Sequence, residues 1–149
     1  MIKKILVTTD FSETSQTAFD LAQQMAEKFG GSITLLHVQE LHLPPLVLEG
    51  SSTATEQIEQ EHKLLAEARV RELAQRMSET AKSAVVVGTP HLEIDLFAKQ
   101  HDFDLIVMAT HGRGFFSHAI LGSTTERVVR HAPCPVLTIR DDTLHTVDD

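Results

Sequence analysis

Apolar residues in this chain gather into short unbroken runs, and longer stretches with helical spacing separate them. The runs lie in Lys4 to Thr8, Ile33 to Val38, Ala84 to Val87, Asp104 to Ala109 and Val136 to Arg140. Continuous runs of this length predict strands covered on both faces. After the first run, Ala18, Ala22, Met25 and Phe29 recur at i, i+4, i+7 and i+11, with Ser12 placed as an N-cap and Gly30-Gly31 as a stop; this predicts a helix. The charged stretch from Thr55 to Lys82 repeats the spacing with Ala66, Val70, Leu73 and Met77, and its charges of both signs predict a solvated outer face. Gly88 and Pro90 stop the third run, and a short helix from Leu92 to Gln100 carries Ile94, Phe97, Ala98 and His101 on one side. Ser123 and Thr124 open a last helix through Val128, Val129 and Ala132. Residues 39–53, with Pro44-Pro45 and Gly50-Ser51-Ser52, have no period and predict the longest loop, long enough for a lid.

Strands that alternate with helices predict a parallel α/β sheet with helices on both faces, because right-handed crossovers place them there. Ligands of such sheets gather at the carboxyl ends of the strands, near the point where strand order reverses. Asp10, Val38, Gly88 and the stretch from Ala109 to Gly112 follow the runs at those ends. No internal repeat or linker divides the chain, which predicts one domain over residues 1–140 and an acidic tail over 141–149.

The composition narrows the partners. With 13 Lys+Arg against 21 Asp+Glu, the formal charge is −8, which argues against long nucleic acids and acidic bilayers. The chain has no Trp and no Tyr, so stacking platforms for single strands are scarce. No apolar run approaches the ~20 residues of a membrane span. The single cysteine, Cys134, has no second thiol for a disulfide or a zinc pair, which suits a reducing cytosol.

The chemistry concentrates after the fourth run, where Met108-Ala109-Thr110-His111-Gly112-Arg113-Gly114 leads through Phe115, Phe116 and His118 to Gly122-Ser123-Thr124. A buried strand thus ends in a glycine-rich turn. Gly112 and Gly122 allow positive φ and close approach to a ligand, and the helix opened by Ser123 and Thr124 offers unpaired N–H groups. These groups, with about half a positive charge at the helix start, make an anion site. The two hydroxyls can donate to phosphate or ligate a cation, and Arg113 adds a bidentate cationic donor. The plainer alternative is a surface turn before a Ser-capped helix. A Walker A loop would need a Lys that is absent here, and a dinucleotide fingerprint starting at Gly112 meets Ser117 at its third glycine.

Gly112, nine intervening residues and Gly122-Ser123 match most of the pattern Gly-x2-Gly-x9-Gly-Ser/Thr, with Ala109 at the first position. With Thr9-Asp10-Phe11-Ser12, with Asp104 to Met108 and with Arg130 to Val136, the chain resembles the nucleotide-binding branch of the universal stress protein family over about residues 2 to 140. The resemblance implies an open five-stranded parallel Rossmann-like sheet in the order 3-2-1-4-5, with ATP across the ends of strands one and four. It places Thr8, Thr9 and Asp10 on the adenine and ribose side, Val38 against adenine, and Met108 and Ala109 under the nucleoside. Gly112, Arg113, Gly122, Ser123 and Thr124 would hold the phosphates. The Ala109 methyl narrows the floor of that site, and Thr8 stands where the family often has Pro. The resemblance also implies a homodimer through the strand-five edge, Val136 to Arg140, an edge that a monomer would leave unpaired.

Other chemistries find less support. Asp10 can serve the ligand or only favour the helix start near Ser12. None of the nine His residues forms a His-x3-His or His-Glu-x2-His cluster, so no metal site of side chains alone is expected; Mg²⁺ arriving with a triphosphate needs only one or two protein oxygens. No Gly-x-Ser-x-Gly elbow occurs, Cys134 sits between two prolines, and Phe115 and Phe116 fit a lid, a partner patch or the core. The functional expectation is therefore an ATP-binding, cytosolic stress-response regulator with an unidentified protein partner. The alternatives are a slow or partner-dependent ATPase using Asp10 or His111, and a dimeric adaptor that binds no nucleotide or binds AMP or cyclic AMP. From Leu105 to Arg140 the charge is +3, against −11 in the other 113 residues, so the acidity lies away from the glycine-rich turn.

Overall fold

The computed structural model describes residues 1–41, 52–110 and 121–140. Most of the expected long loop, the glycine-rich stretch from His111 to Ile120 and the acidic tail lie outside the described residues. Five strands, β1 (Lys4–Thr8), β2 (Ser32–Gln39), β3 (Lys82–Val87), β4 (Leu105–Ala109) and β5 (Val136–Ile139), alternate with the helices α1 (Glu13–Phe29), α2 (Ser52–Met77), α3 (Pro90–Gln100) and α4 (Ser123–His131). The sheet order is β3-β2-β1-β4-β5, and every pairing is parallel. The expected Rossmann-like architecture is the one observed.

Alternate residues of the same strands feed two cores, which explains the continuous apolar runs. Ile5, Val7, Leu35 and Val107 pack with Ala18 and Ala22 of α1 and with Val70 and Met77 of α2. On the other face, Leu6, Leu36, Ile106 and Met108 meet Ile94 and Ala98 of α3 and Val128 of α4. Truncating a fully buried member such as Leu35 or Ile106 to Ala costs about 2–5 kcal/mol.

Local chemistry sets most boundaries. The Ser12 hydroxyl accepts from Ser15 N at 3.1 Å to start α1, and Gly30, left-handed at φ 60°, ends it by donating to the Ala26 carbonyl. Helix α2 ends at Met77, five residues before the expected Lys82. The Ser78 side chain accepts from Thr80 N, the Ser78 carbonyl accepts from Ala81 N, and Lys82 already pairs with Thr34. Helix α3 starts at Pro90, which suits a position needing no N–H donor. Val129 is 47% exposed, because its neighbour Val128 takes the buried position and successive helix residues point about 100° apart. At the amino end, Asp104 accepts from both Lys3 N and Lys4 N at 2.8 Å, tying the start of β1 to that of β4. These two backbone N–H bonds hold its carboxyl below the ordinary carboxylate range.

Candidate functional site

The register of the sheet opens a cleft at the opposite end. β1 and β4 stay paired only as far as Val7 and Val107. Beyond that point Thr9 N donates to Leu36 O at 2.9 Å and so follows β2, while Thr110 N donates to Ile139 O at 2.8 Å and follows β5. The two strands therefore part where strand order reverses, the position at which open α/β sheets bind ligands. The resulting cleft has a volume of about 480 Å³.

Six elements and their ends contribute to its walls. Thr8, Thr9 and Asp10 line it from the end of β1, Val38 from β2, Met108 and Ala109 from β4, and Gly122, Ser123 and Thr124 from the start of α4. These are the site residues expected from the sequence, apart from Gly112 and Arg113, which lie outside the described residues. Sequence reasoning missed Leu36, His37, Gln39 and Glu40 on β2 and its exit, Pro90 and Ile94 on α3, and Ser15 and Thr125. The neighbours of Val38, and the Gly88-x-Pro90 punctuation after β3, were the available signals. Gln39 Oε1 is buried with no hydrogen-bond partner among the described residues.

Helix α4 is bolted to the end of β4. The buried Thr125 hydroxyl donates to Ala109 O at 2.9 Å, and Gly122 N donates to Thr110 O at 2.6 Å. Gly122 is the N-cap and provides no side-chain cap, so the first N–H groups of the helix have no acceptor from that side chain. This sets aside the Ser-capped alternative and corrects the positive φ expected of Gly122. The helix is not Ser-capped, since Ser123 is its first residue, and Gly122 takes φ −65° and ψ 158°, an extended conformation open to any residue. What glycine contributes here is the lack of a capping side chain.

The opposite wall is a turn held from several sides. The Thr9 and Ser15 hydroxyls lie 2.9 Å apart, Phe11 N donates to Thr9 Oγ1 at 3.0 Å, and Ser12 donates to Asp10 Oδ1 through both its N–H and its hydroxyl. Asp10 thus takes the helix-start role while also lining the cleft. Phe11 is left-handed at φ 67°, a conformation costing a non-glycine residue about 1–2 kcal/mol. Its ring lies 4.2 Å from the His37 ring and 4.2 Å from the Arg69 guanidinium. Such contacts contribute about 0.5–1.5 and 0.5–1 kcal/mol, enough to offset that cost. His37 Nδ1 in turn donates to Thr9 O at 2.8 Å. Away from the cleft, burial pushes the Asp95 carboxyl up, opposed by His131 and His91, and its Oδ1 is buried without a partner.

Comparison with known proteins agrees with this architecture. The sequence profile of the universal stress protein family matches residues 1–140. Universal stress protein MJ0577 of Methanocaldococcus jannaschii is 31% identical over 155 residues, covering 94% of this chain and 96% of that protein. Its solved structure superposes with a TM-score of 0.82 at 28% identity, over 95% of this chain and 97% of its own. Universal stress protein UspA from Lactobacillus plantarum gives a TM-score of 0.78 at 30% identity, over 93% and 97% of the two chains. A universal stress protein family protein from Arabidopsis thaliana, solved with AMP bound, shares the fold at 22% identity, with a TM-score of 0.65 over 99% of this chain and 97% of that one. With the sheet order, the cleft at its switch point and a family match spanning nearly the whole chain, this protein belongs to the universal stress protein family.

Proposed function

We propose that the cleft binds one adenine nucleotide, ATP with Mg²⁺ foremost, and that the protein is a cytosolic stress-response regulator whose surface follows nucleotide occupancy. The observation that carries this reading is the parting of β1 and β4, which sets Asp10 and the start of α4 on opposite sides of one cleft. Its volume of about 480 Å³ is ordinary for a small-molecule site. Leu36, Val38, Ile94 and Met108 supply apolar surface for a base. Asp10 accepts from a ribose hydroxyl. The N–H groups of α4 and the hydroxyls of Ser123 and Thr124 receive phosphate oxygens, and the same hydroxyls are where Mg²⁺ would be held. Gly112 and Arg113 complete the phosphate side. The AMP-bound Arabidopsis relative supports the ligand class.

We assign the nucleotide-binding domain to residues 1–140. The partner surface of a homodimer is the outer edge of β5, from Val136 to Arg140, since β5 pairs only with β4 and ends the sheet. A monomer in sedimentation at micromolar concentration would remove that assembly. Calorimetric titration with Mg-ATP, AMP and cyclic AMP tests the ligand. The wild type is expected to bind Mg-ATP, and Asp10→Ala to bind it roughly 10- to 100-fold more weakly, the loss of a hydrogen bond to a charged group. Sustained phosphate release that vanishes in Asp10→Ala would replace the regulator with a slow ATPase. Binding of none of the three nucleotides would leave a nucleotide-free adaptor.

A further inference from the structure

We infer that Arg69 is a positioning residue of the cleft: from α2 it clamps Phe11 against His37, and so holds the left-handed turn that carries Thr9 and Asp10 along the cleft wall. The inference deepens the nucleotide reading and rests on it.

Phe11 does not line the cleft, yet it sits between two residues that do, Asp10 and, across the stack, His37. A glycine would adopt φ 67° without strain. Strained conformations of bulky residues persist where the surroundings over-determine them, and here those surroundings are identifiable. The Arg69 guanidinium lies over the Phe11 ring, the His37 imidazole lies 4.2 Å from the same ring, and the His37 ring is oriented by its bond to the Thr9 carbonyl. Side chains from α2 and β2 therefore converge on the ring of the turn, and one of them, His37, is bonded to the backbone of the cleft wall. Arg69 is exposed and forms no ion pair among the described residues, unlike Arg76 with Glu72 or Arg130 with Glu126. Its planar cation is applied to the ring face instead, a contact a lysine reproduces only in part. Arg69 is 58 positions from Phe11 in the sequence, so α2, although it does not line the cleft, sets the geometry of the wall that meets a ribose.

The test uses Arg69→Gln and Arg69→Lys in the full chain with Mg-ATP as the probe, and backbone amide exchange of Phe11 and Ser12 in the nucleotide-free protein. Arg69→Gln is expected to unfold at close to the wild-type temperature, to exchange those amides faster, and to bind Mg-ATP about two- to fivefold more weakly. Arg69→Lys should fall between the two. Wild-type affinity in Arg69→Gln overturns the inference while leaving the nucleotide reading intact, and so does a fall in melting temperature with no change in affinity. Failure of the wild type to bind Mg-ATP, AMP or cyclic AMP defeats the nucleotide reading. In that case the exchange decides the clamp alone: faster exchange in Arg69→Gln upholds it, and unchanged exchange overturns it.

Discussion

The two ends of the sheet treat the same pair of strands in opposite ways. At the amino end one carboxylate, Asp104, accepts from the amides of Lys3, just before the neighbouring strand, and of Lys4, its first residue, and draws β1 and β4 together. At the carboxyl end Thr9 turns to β2 and Thr110 to β5, and the space between them is the cleft. In a parallel sheet the strand directions agree, so each strand delivers its last residues to the same side. That side can hold a site only if two neighbouring strands part there, and the closed end keeps them from parting throughout. The amino end therefore closes the sheet, and the carboxyl end leaves the cleft to which the proposed function assigns the nucleotide.

Substitutions at each end break or sharpen this contrast. The largest effect is expected from Thr125→Val, which leaves the buried Ala109 carbonyl without its hydroxyl donor. Denaturant unfolding should show a loss of about 1–3 kcal/mol, and Mg-ATP affinity should fall with it because α4 loses its anchor. Asp104→Asn acts at the other end, lowering the melting temperature at neutral pH without changing nucleotide affinity. Its pH dependence has a definite sign. Because the folded carboxyl titrates below its ordinary value of 3.8, its contribution is present above that value and is lost as pH falls through the lower folded one. The gap between wild type and variant should close in that acid range. A gap that widened there would contradict the role given to the Lys3 and Lys4 amides. The smallest effect is Gly122→Ser. A capping hydroxyl should stabilise α4 by a few tenths of a kcal/mol yet weaken Mg-ATP binding, since it would occupy an N–H group that the proposed phosphate contact needs. Melting and titration of the same sample check both signs.

Much of this was legible in the sequence because the signals are local. Unbroken apolar runs announced all five strands, and Ser12 and Gly30 marked both ends of α1. The end of α2 was hidden because Ser78 to Lys82 is as polar as the helix surface, and only the register of Lys82 against Thr34 assigns it to the sheet. Two adjacent valines could not reveal which of them faces inward. At the site, residues that follow strand ends were readable one by one. His37, Gln39, Pro90 and Ile94 were not, because they reach the cleft only through the sheet order and the placement of α3 against it. The left-handed Phe11 was hidden for a similar reason, since the contacts that hold it come from β2 and α2.

The contrast between the ends is tested most directly by following backbone amide resonances during titration with Mg-ATP. Saturable shifts at Thr9, Asp10, Ser123, Thr124 and Thr125, with Lys3, Lys4 and Asp104 unmoved, are the expected result. No saturable shift, or shifts centred on the amino end, would contradict the account.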